Sequence, residues 1–215
     1  MTQSNIKKAR SLLLRRLSQR DYTRFELTSY INDKVEIDPE DLIAILDEFE
    51  TKRLVDDDRY LEEKVSYLRY QRKGNGWILQ DLKKRGLDVI EVENYLSEED
   101  RDEYIQRGVL RAESFMKRTH QGSNSQKIQK LKAHLARQGF EFNVCDQIID
   151  QLDYAFDQED EMHNLKKVMK QSIQRYQKRF QGFELKTKLT NHLLSKGYSY
   201  EMIKNAMEDL DEFKN

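Results

Sequence analysis

The stretch Arg72-Lys73-Gly74-Asn75-Gly76-Trp77-Ile78-Leu79-Gln80-Asp81-Leu82-Lys83-Lys84-Arg85-Gly86-Leu87 decides the fold. Its Gly74-Asn75-Gly76 turn is too short to cradle a nucleotide and reads as a link between helices. Trp77 then opens an apolar helix, and Gly86 closes it where a helix end needs a left-handed residue. The same ending returns twice. Gly86, Gly139 and Gly197 lie 53 and 58 residues apart, and four residues before each stands Leu82, Leu135 or Leu193. Nine and ten residues after each stand Tyr95-Leu96, Ile148-Ile149 and Ala206-Met207. Self-similarity on this scale is the mark of a repeat architecture. The unit is a helix, a glycine turn, a short helix and a longer connecting helix. A first copy is degenerate: Tyr30 and Lys34 hold the leucine and glycine places, and the Leu42–Phe49 segment supplies its apolar helix.

Outward from these glycines the spacing stays helical. Leu165, Val168, Met169, Ile173, Tyr176 and Phe180 fall on one stripe, as do Tyr60, Leu61, Val65 and Leu68. No long alternating β-branched run suggests a strand. Thr23-Arg24-Phe25-Glu26 matches a capping box, and Asp38-Pro39 sets a capping carboxylate before a proline at the first helical position. Gly74, Gly122 and Gly182 each follow a long helix and are expected to close it as Gly86 does. The expected fold is all-α, an elongated, curved array of tandem three-helix repeats over 1–56, 57–99, 100–157 and 158–215.

Composition agrees. Only 37% of the 215 residues are hydrophobic while 36% are charged, and mean hydropathy is −0.92. That is thin for one spherical core but suits a stack in which each unit buries its neighbour-facing sides. Eleven Tyr and nine Phe argue for packing rather than disorder. Cys145 is the only cysteine, which excludes an intramolecular disulfide and fits a reducing compartment. No apolar run approaches the roughly 20 residues that span a bilayer. The basic N-terminus (Lys7, Lys8, Arg10, Arg15, Arg16) lacks a signal-peptide core, so a cytoplasmic protein is expected.

The net charge of −1 hides a pattern. Residues 64–85 hold seven basic and one acidic side chain, 106–138 eight and one, and 162–197 nine and one. The intervening 86–105 hold one and eight, and 139–161 none and eight. Charge therefore alternates in phase with the repeat. In a solenoid, corresponding helices line one face, and a basic stripe there is a footprint for nucleic acid or a protein–nucleic-acid assembly. Neutralising roughly six phosphates would make affinity fall about a thousandfold between 50 and 200 mM salt. The competing reading is that basic helices pair with acidic ones and fix stacking and solubility, with surface pairs contributing about 0–1 kcal/mol each.

Catalytic patterns are missing. There is no Gly-rich phosphate loop, His-Glu-x-x-His or Cys-x-x-Cys, so no enzyme activity, cofactor or metal is expected. His134 and His192 sit five residues before their repeat glycines and read as surface histidines, while Cys145 reads as buried. Asp56-Asp57-Asp58 lacks calcium-loop spacing and reads as a helix N-terminus. Trp77 and most of the tyrosines read as packing residues.

The series Leu12-Leu13-Leu14-Arg15-Arg16-Leu17, Phe25-Glu26-Leu27 and Leu54-Val55-Asp56-Asp57-Asp58-Arg59-Tyr60 resembles the opening unit of the RecX family. The stretch 72–87 resembles that family's second-unit signature, a basic-Gly-x-Gly turn before an apolar helix ending in Lys-Gly-Ile or a close variant. Lys34 departs from the glycine usual in the first unit, and four units exceed the three of the shortest members. The resemblance implies a curved helical clamp that is not an enzyme. It lies along the groove of the RecA filament on single-stranded DNA and lowers recombinase, ATPase and co-protease activities, in DNA repair and SOS control. The partner expected is therefore the RecA filament, with direct contact to single-stranded DNA open, no membrane, and the chain itself a monomer. The residues expected to supply charge contacts are Arg69, Arg72, Lys73, Lys83, Lys84 and Arg85, with Lys117, Arg118, Lys127 and Lys130 in the next unit. The alternative is a helical-repeat module that binds single-stranded nucleic acid without RecA, stacking bases on Tyr67, Tyr70, Trp77 or Tyr176.

Overall fold

The computed structural model describes residues 3–152 and 156–209, which form twelve α-helices and no β-strand. Residues 1–2, 153–155 and 210–215, at the edges of the expected first, third and fourth units, lie outside the described residues. The chain divides into two compact units, Met1–Tyr104 and Ile105–Asn215. The first holds α1 (Gln3–Leu17), α2 (Arg24–Asn32), α3 (Pro39–Thr51), α4 (Asp57–Tyr70), α5 (Asn75–Lys84) and α6 (Val89–Ser97). The division falls inside α7 (Arg101–Met116). The second unit continues with α8 (Asn124–Arg137), α9 (Phe142–Asp150), α10 (Gln158–Tyr176), α11 (Gly182–Ser195) and α12 (Tyr200–Glu208).

The cores are local. In the first unit, Ala9, Leu13, Leu27, Ile31, Leu42, Ile45, Leu46 and Phe49 join α1, α2 and α3. A separate cluster of Tyr60, Val65, Leu68, Ile78, Leu82, Val92 and Leu96 joins α4, α5 and α6. In the second unit, Leu165, Met169, Ile173, Leu189, Leu193, Ile203 and Met207 join α10, α11 and α12. Each cluster draws on residues three and four apart on neighbouring short helices, the spacing that puts side chains on one helix face.

Caps define the helix starts. Thr23 closes the capping box, its hydroxyl accepting from the Glu26 N–H while the Glu26 carboxylate accepts from the Thr23 N–H. Asp38, Asp56 and Asp88 cap α3, α4 and α6 through their carboxylates. These bonds satisfy N–H groups that the first turn of a helix leaves without partners.

Thr23 does more than cap its own helix. Its buried hydroxyl donates to the carbonyl of Arg85, just past α5, at 2.6 Å, and the neighbouring Arg24 N–H donates to the Asp57 carboxylate of α4 at 2.9 Å. The second unit contains the same joint. The buried Ser123 hydroxyl accepts from Gln126 N–H and donates to the carbonyl of Lys196, just past α11, at 2.7 Å. There the Asn124 N–H donates to Glu161 of α10 at 2.7 Å. The glycine that follows each accepting carbonyl lies at the joint. Gly86 has φ of 80°, and a Cβ on it would fall 2.2 Å from the Cβ of Phe25. Gly197 has φ of 81°, and its Cβ would meet the Ser123 hydroxyl at 2.8 Å. At Gly86 and Gly197 the repeated glycine is thus both a helix ending and the site where another helix start approaches its backbone.

Gly74 does not take the closing role expected of it. Its backbone is extended, with φ −79° and ψ 160°, and it is the N-cap of α5; Arg72 takes the left-handed position after α4, with φ of 58°. Without a hydroxyl at Gly74, α5 starts with no side-chain cap, and the Asn75 N–H donates instead to the Tyr104 hydroxyl at 3.4 Å. Gly182, with φ of 52°, is the first residue of α11 rather than a closing residue. Lys34, at the place of the missing first glycine, is not left-handed.

Gly86→Ala and Gly182→Ala separate the two demands on a glycine. Both positions have positive φ, but nothing lies within 4 Å of a Cβ at Gly182. Denaturant unfolding should show a loss of about 1–2 kcal/mol for Gly182→Ala and about 2–5 kcal/mol for Gly86→Ala, where overpacking adds to the conformational strain. Equal losses would mean that close approach at the joint contributes nothing.

Candidate partner-binding surface

Charged groups dominate the surface, and their arrangement explains part of the alternation in sequence. A recurring ion pair joins a basic first or second helix to the acidic third helix of the same segment. Arg24 of α2 meets Asp47 and Glu50 of α3 at 2.7 and 2.6 Å, and Arg10 of α1 meets Glu48 of α3. Arg69 of α4 meets Glu99, beyond α6, at 3.4 Å. Lys132 of α8 meets Asp146 of α9. The pairs of Arg10, Arg24 and Lys132 are partly exposed and contribute about 0–1 kcal/mol each, so they orient helices more than they stabilise them, whereas the Glu99 side chain is only 6% exposed. The Arg10 bond and, next, that from Lys52 hold the Glu48 carboxyl down at about 2.

Against this background the ten expected contact residues divide. Arg69 is paired with Glu99, and its guanidinium lies 5.9 Å from the Tyr95 ring. Arg85 bonds Glu26 of α2 and Asp81 of α5, each at 3.0 Å, with all three side chains about four-fifths buried. Burial opposes its charge, yet the bond to Asp81 and the nearby Tyr60 and Glu26 hold its pKa above the ordinary arginine value. Lys127 is only 4% exposed and lines a cleft of about 410 Å³, where Lys117 faces Glu113 and Asp160. Arg69, Arg85 and Lys127 are therefore internal elements rather than free surface charges. Arg72 and Lys73 are half-buried beside the Gly74 turn, and the Lys73 ammonium lies 4.3 Å from the Trp77 ring centre. Lys83 and Lys84 in the first unit, and Lys117, Arg118 and Lys130 in the second, are exposed. Their side chains form no ion pair or hydrogen bond with the described residues.

Two tyrosines correct the expectation that most of the aromatics are interior. Tyr67 and Tyr70 are 53% and 81% exposed. The buried stripe of α4 is Tyr60, Leu61, Val65 and Leu68, and a period of 3.6 carries residues 67 and 70 off that face. Trp77 and Tyr176 are partly buried against their clusters. His134 stacks on Phe115 at 4.4 Å and accepts from Arg111 Nε at 3.3 Å, so it is not the open surface group expected. Cys145 is buried in α9, and burial raises its thiol pKa. Cations of α10 and α11, absent from the ten expected residues, also face solvent, and their signal in the sequence is the nine basic residues of 162–197. Among the described residues no group of three or more His, Cys, Asp or Glu could hold a metal, and no helix is long and apolar enough to cross a membrane.

The fold and this surface define an all-α protein built from small three-helix cores, with exposed cations that its own carboxylates leave unmatched. Comparison with known proteins adds a family likeness to that class. Residues 159–207 match the family model described as "RecX, third three-helix domain". The regulatory protein RecX of Oceanobacillus iheyensis is 28% identical over 202 residues, covering 94% of this chain and 74% of that one. The regulatory protein RecX of Enterococcus faecalis is 29% identical over 194 residues, covering 90% and 72%. The crystal structure of RecX from Lactobacillus salivarius superposes with a TM-score of 0.63 at 27% identity, covering 71% of this chain and 99% of that one. Over nine-tenths of its length the chain is thus similar to proteins named regulatory RecX, and its 159–207 segment matches that family's third three-helix domain.

Stability measurements distinguish structural cations from free ones. Arg85→Gln leaves Asp81 without its arginine and Glu26 with Arg20 alone, and should cost about 1–3 kcal/mol. Lys83→Gln with Lys84→Gln should stay within about 0.5 kcal/mol of the parent. A double lysine variant as destabilised as Arg85→Gln would show that these lysines also hold the fold.

Proposed function

We propose that the chain regulates the RecA recombinase by binding RecA filaments on single-stranded DNA and lowering their ATPase, strand-exchange and co-protease activities. The observation that carries the surface assignment is the exposure of Lys83, Lys84, Arg118 and Lys130 without carboxylate partners, with Lys117 exposed at a cleft it shares with Glu113 and Asp160. A filament groove presents phosphates and acidic side chains, both of which such cations recognise. The likeness to proteins named regulatory RecX supports the recombinase as partner. Action is by binding rather than turnover, in the cytoplasm, by a monomer in which 1–56, 57–99, 100–157 and 158–215 serve as successive three-helix units.

A second reading, binding of single-stranded nucleic acid without RecA, is favoured by Tyr67 and Tyr70. Their exposed rings lie on α4, whose C-terminal end precedes the basic turn at Arg72-Lys73. Stacking a base on such a ring contributes about 1–3 kcal/mol.

Reversing Lys83, Lys84, Lys117 and Arg118 to Glu should weaken inhibition of RecA's DNA-dependent ATPase and lower its salt dependence by roughly one counterion for each phosphate no longer neutralised. Asp150→Lys with Glu159→Lys, in the acidic stretch, should change inhibition much less. If the fourfold variant stays folded and inhibits as well as the parent, the proposed surface is wrong. If Tyr67→Ala with Tyr70→Ala abolishes DNA binding in the absence of RecA but leaves ATPase inhibition intact, the second reading describes a separate activity.

A further inference from the structure

A cleft of about 430 Å³ in the second unit lies among α8, α10, α11 and the turn after α11. Lys130 of α8, Arg175 of α10 and Lys196 after α11 line it, and no carboxylate does. All three cations are exposed, and their side chains form no ion pair or hydrogen bond with the described residues. The neighbouring cleft of about 410 Å³ is different, because Glu113 and Asp160 face its lysines. Like charges converge on an uncompensated cleft only at an electrostatic cost, which an anion removes.

The rest of the lining is not simply ionic. The Tyr176 and His192 rings meet edge-on at 5.6 Å, three glutamines supply amide donors and acceptors, and Tyr198 completes the wall. The Tyr198 hydroxyl is buried and has no hydrogen-bond partner in the protein, a condition that ordinarily calls for one. An inorganic phosphate would fill only a small part of this volume, which falls in the range of small-ligand sites. From the cations, the aromatic wall and the amides we infer that this cleft binds a nucleoside phosphate, the anion on Arg175, Lys196 and Lys130 and the base against Tyr176 and His192. The ligand is either a free nucleotide or a nucleotide unit of a single strand. The inference is independent of RecA.

His192 reports on the site. Burial lowers its pKa, and the Lys196 and Arg175 charges lower it further. Facing it from the packed elements are Tyr176 and Arg175 on α10, Lys130 on α8, and Lys196 and Tyr198 beyond α11, none of them a carboxylate. A bound phosphate favours the imidazolium, so it must raise that pKa. The test is titration of the full chain with dAMP, inorganic phosphate and a 5′-phosphorylated oligothymidylate, followed by calorimetry and by NMR of the His192 ring. We expect dAMP to bind and raise the His192 pKa, and inorganic phosphate to compete at the same place more weakly. Arg175→Gln with Lys196→Gln should weaken binding by about tenfold or more, with an unchanged circular dichroism spectrum. Lys130→Gln, on another helix, provides the same test if the double variant unfolds. Lys83→Gln with Lys84→Gln should bind normally. Tighter binding of the oligonucleotide than of dAMP, abolished in the same variants, assigns the site to a strand; the reverse order assigns it to a free nucleotide. The inference fails if none of the three probes shifts His192, or if the cleft variants bind as tightly as the parent.

Discussion

A side-chain hydroxyl at a helix start, accepting from its own helix and donating to the end of another, is the contact on which this architecture depends. Thr23 and Ser123 each do both, fully buried. A short helix has few residues with which to bury apolar surface, and its first amides and last carbonyls lack internal partners. One hydroxyl serving two helix ends removes that deficit at both. The carboxylates of Asp57 and Glu161 extend the solution by receiving the next free amide of each helix start. Burial raises the Asp57 pKa, opposed by the Arg24 N–H bond, so this carboxylate sits at the joint against a desolvation cost. The glycines follow from the same requirement, since a side chain at Gly86 would collide with Phe25.

Much of this is legible in the sequence because it obeys local rules. The Thr23 capping box, the Asp38-Pro39 start and the Asp56 cap are bonds between residues two or three apart. The stripes of α4 and α10 follow the period of the helix, and Gly86, Gly139 and Gly197 all have positive φ. Gly74 misleads because a glycine after a helix can either close it or start the next. The left-handed position falls instead to Arg72, a residue for which that conformation is uncommon. The joints themselves are invisible in the sequence, since nothing in Thr23 reveals that its second bond goes to Arg85.

The candidate surface is less legible, for a physical reason. Counting charges by segment finds the basic helices, but a count cannot tell an arginine held between Glu26 and Asp81 from a lysine facing solvent. Arg85 and Lys84 are adjacent in sequence and differ in what surrounds them. Tyr67 and Tyr70 illustrate the same limit, because aromatic content suggests a core while helical phase decides which rings enter it. The fourth segment is richest in cations, yet its cleft becomes recognisable only through the absence of a carboxylate from its wall.

The joints also bear on how much the chain can vary in length. The Thr23 bond closes a separation of 62 residues and the Ser123 bond one of 73. The entropy given up in closing a loop grows with the logarithm of its length, so the longer of these costs only about 0.1–0.2 kcal/mol more. Additional residues between bonded ends are therefore nearly free of thermodynamic penalty, provided they do not disturb the bond. The two joints accordingly remain alike although the chain between their bonded ends differs by eleven residues. Insertions and deletions in such a chain cost little stability as long as the few atoms where helix ends meet keep their contacts.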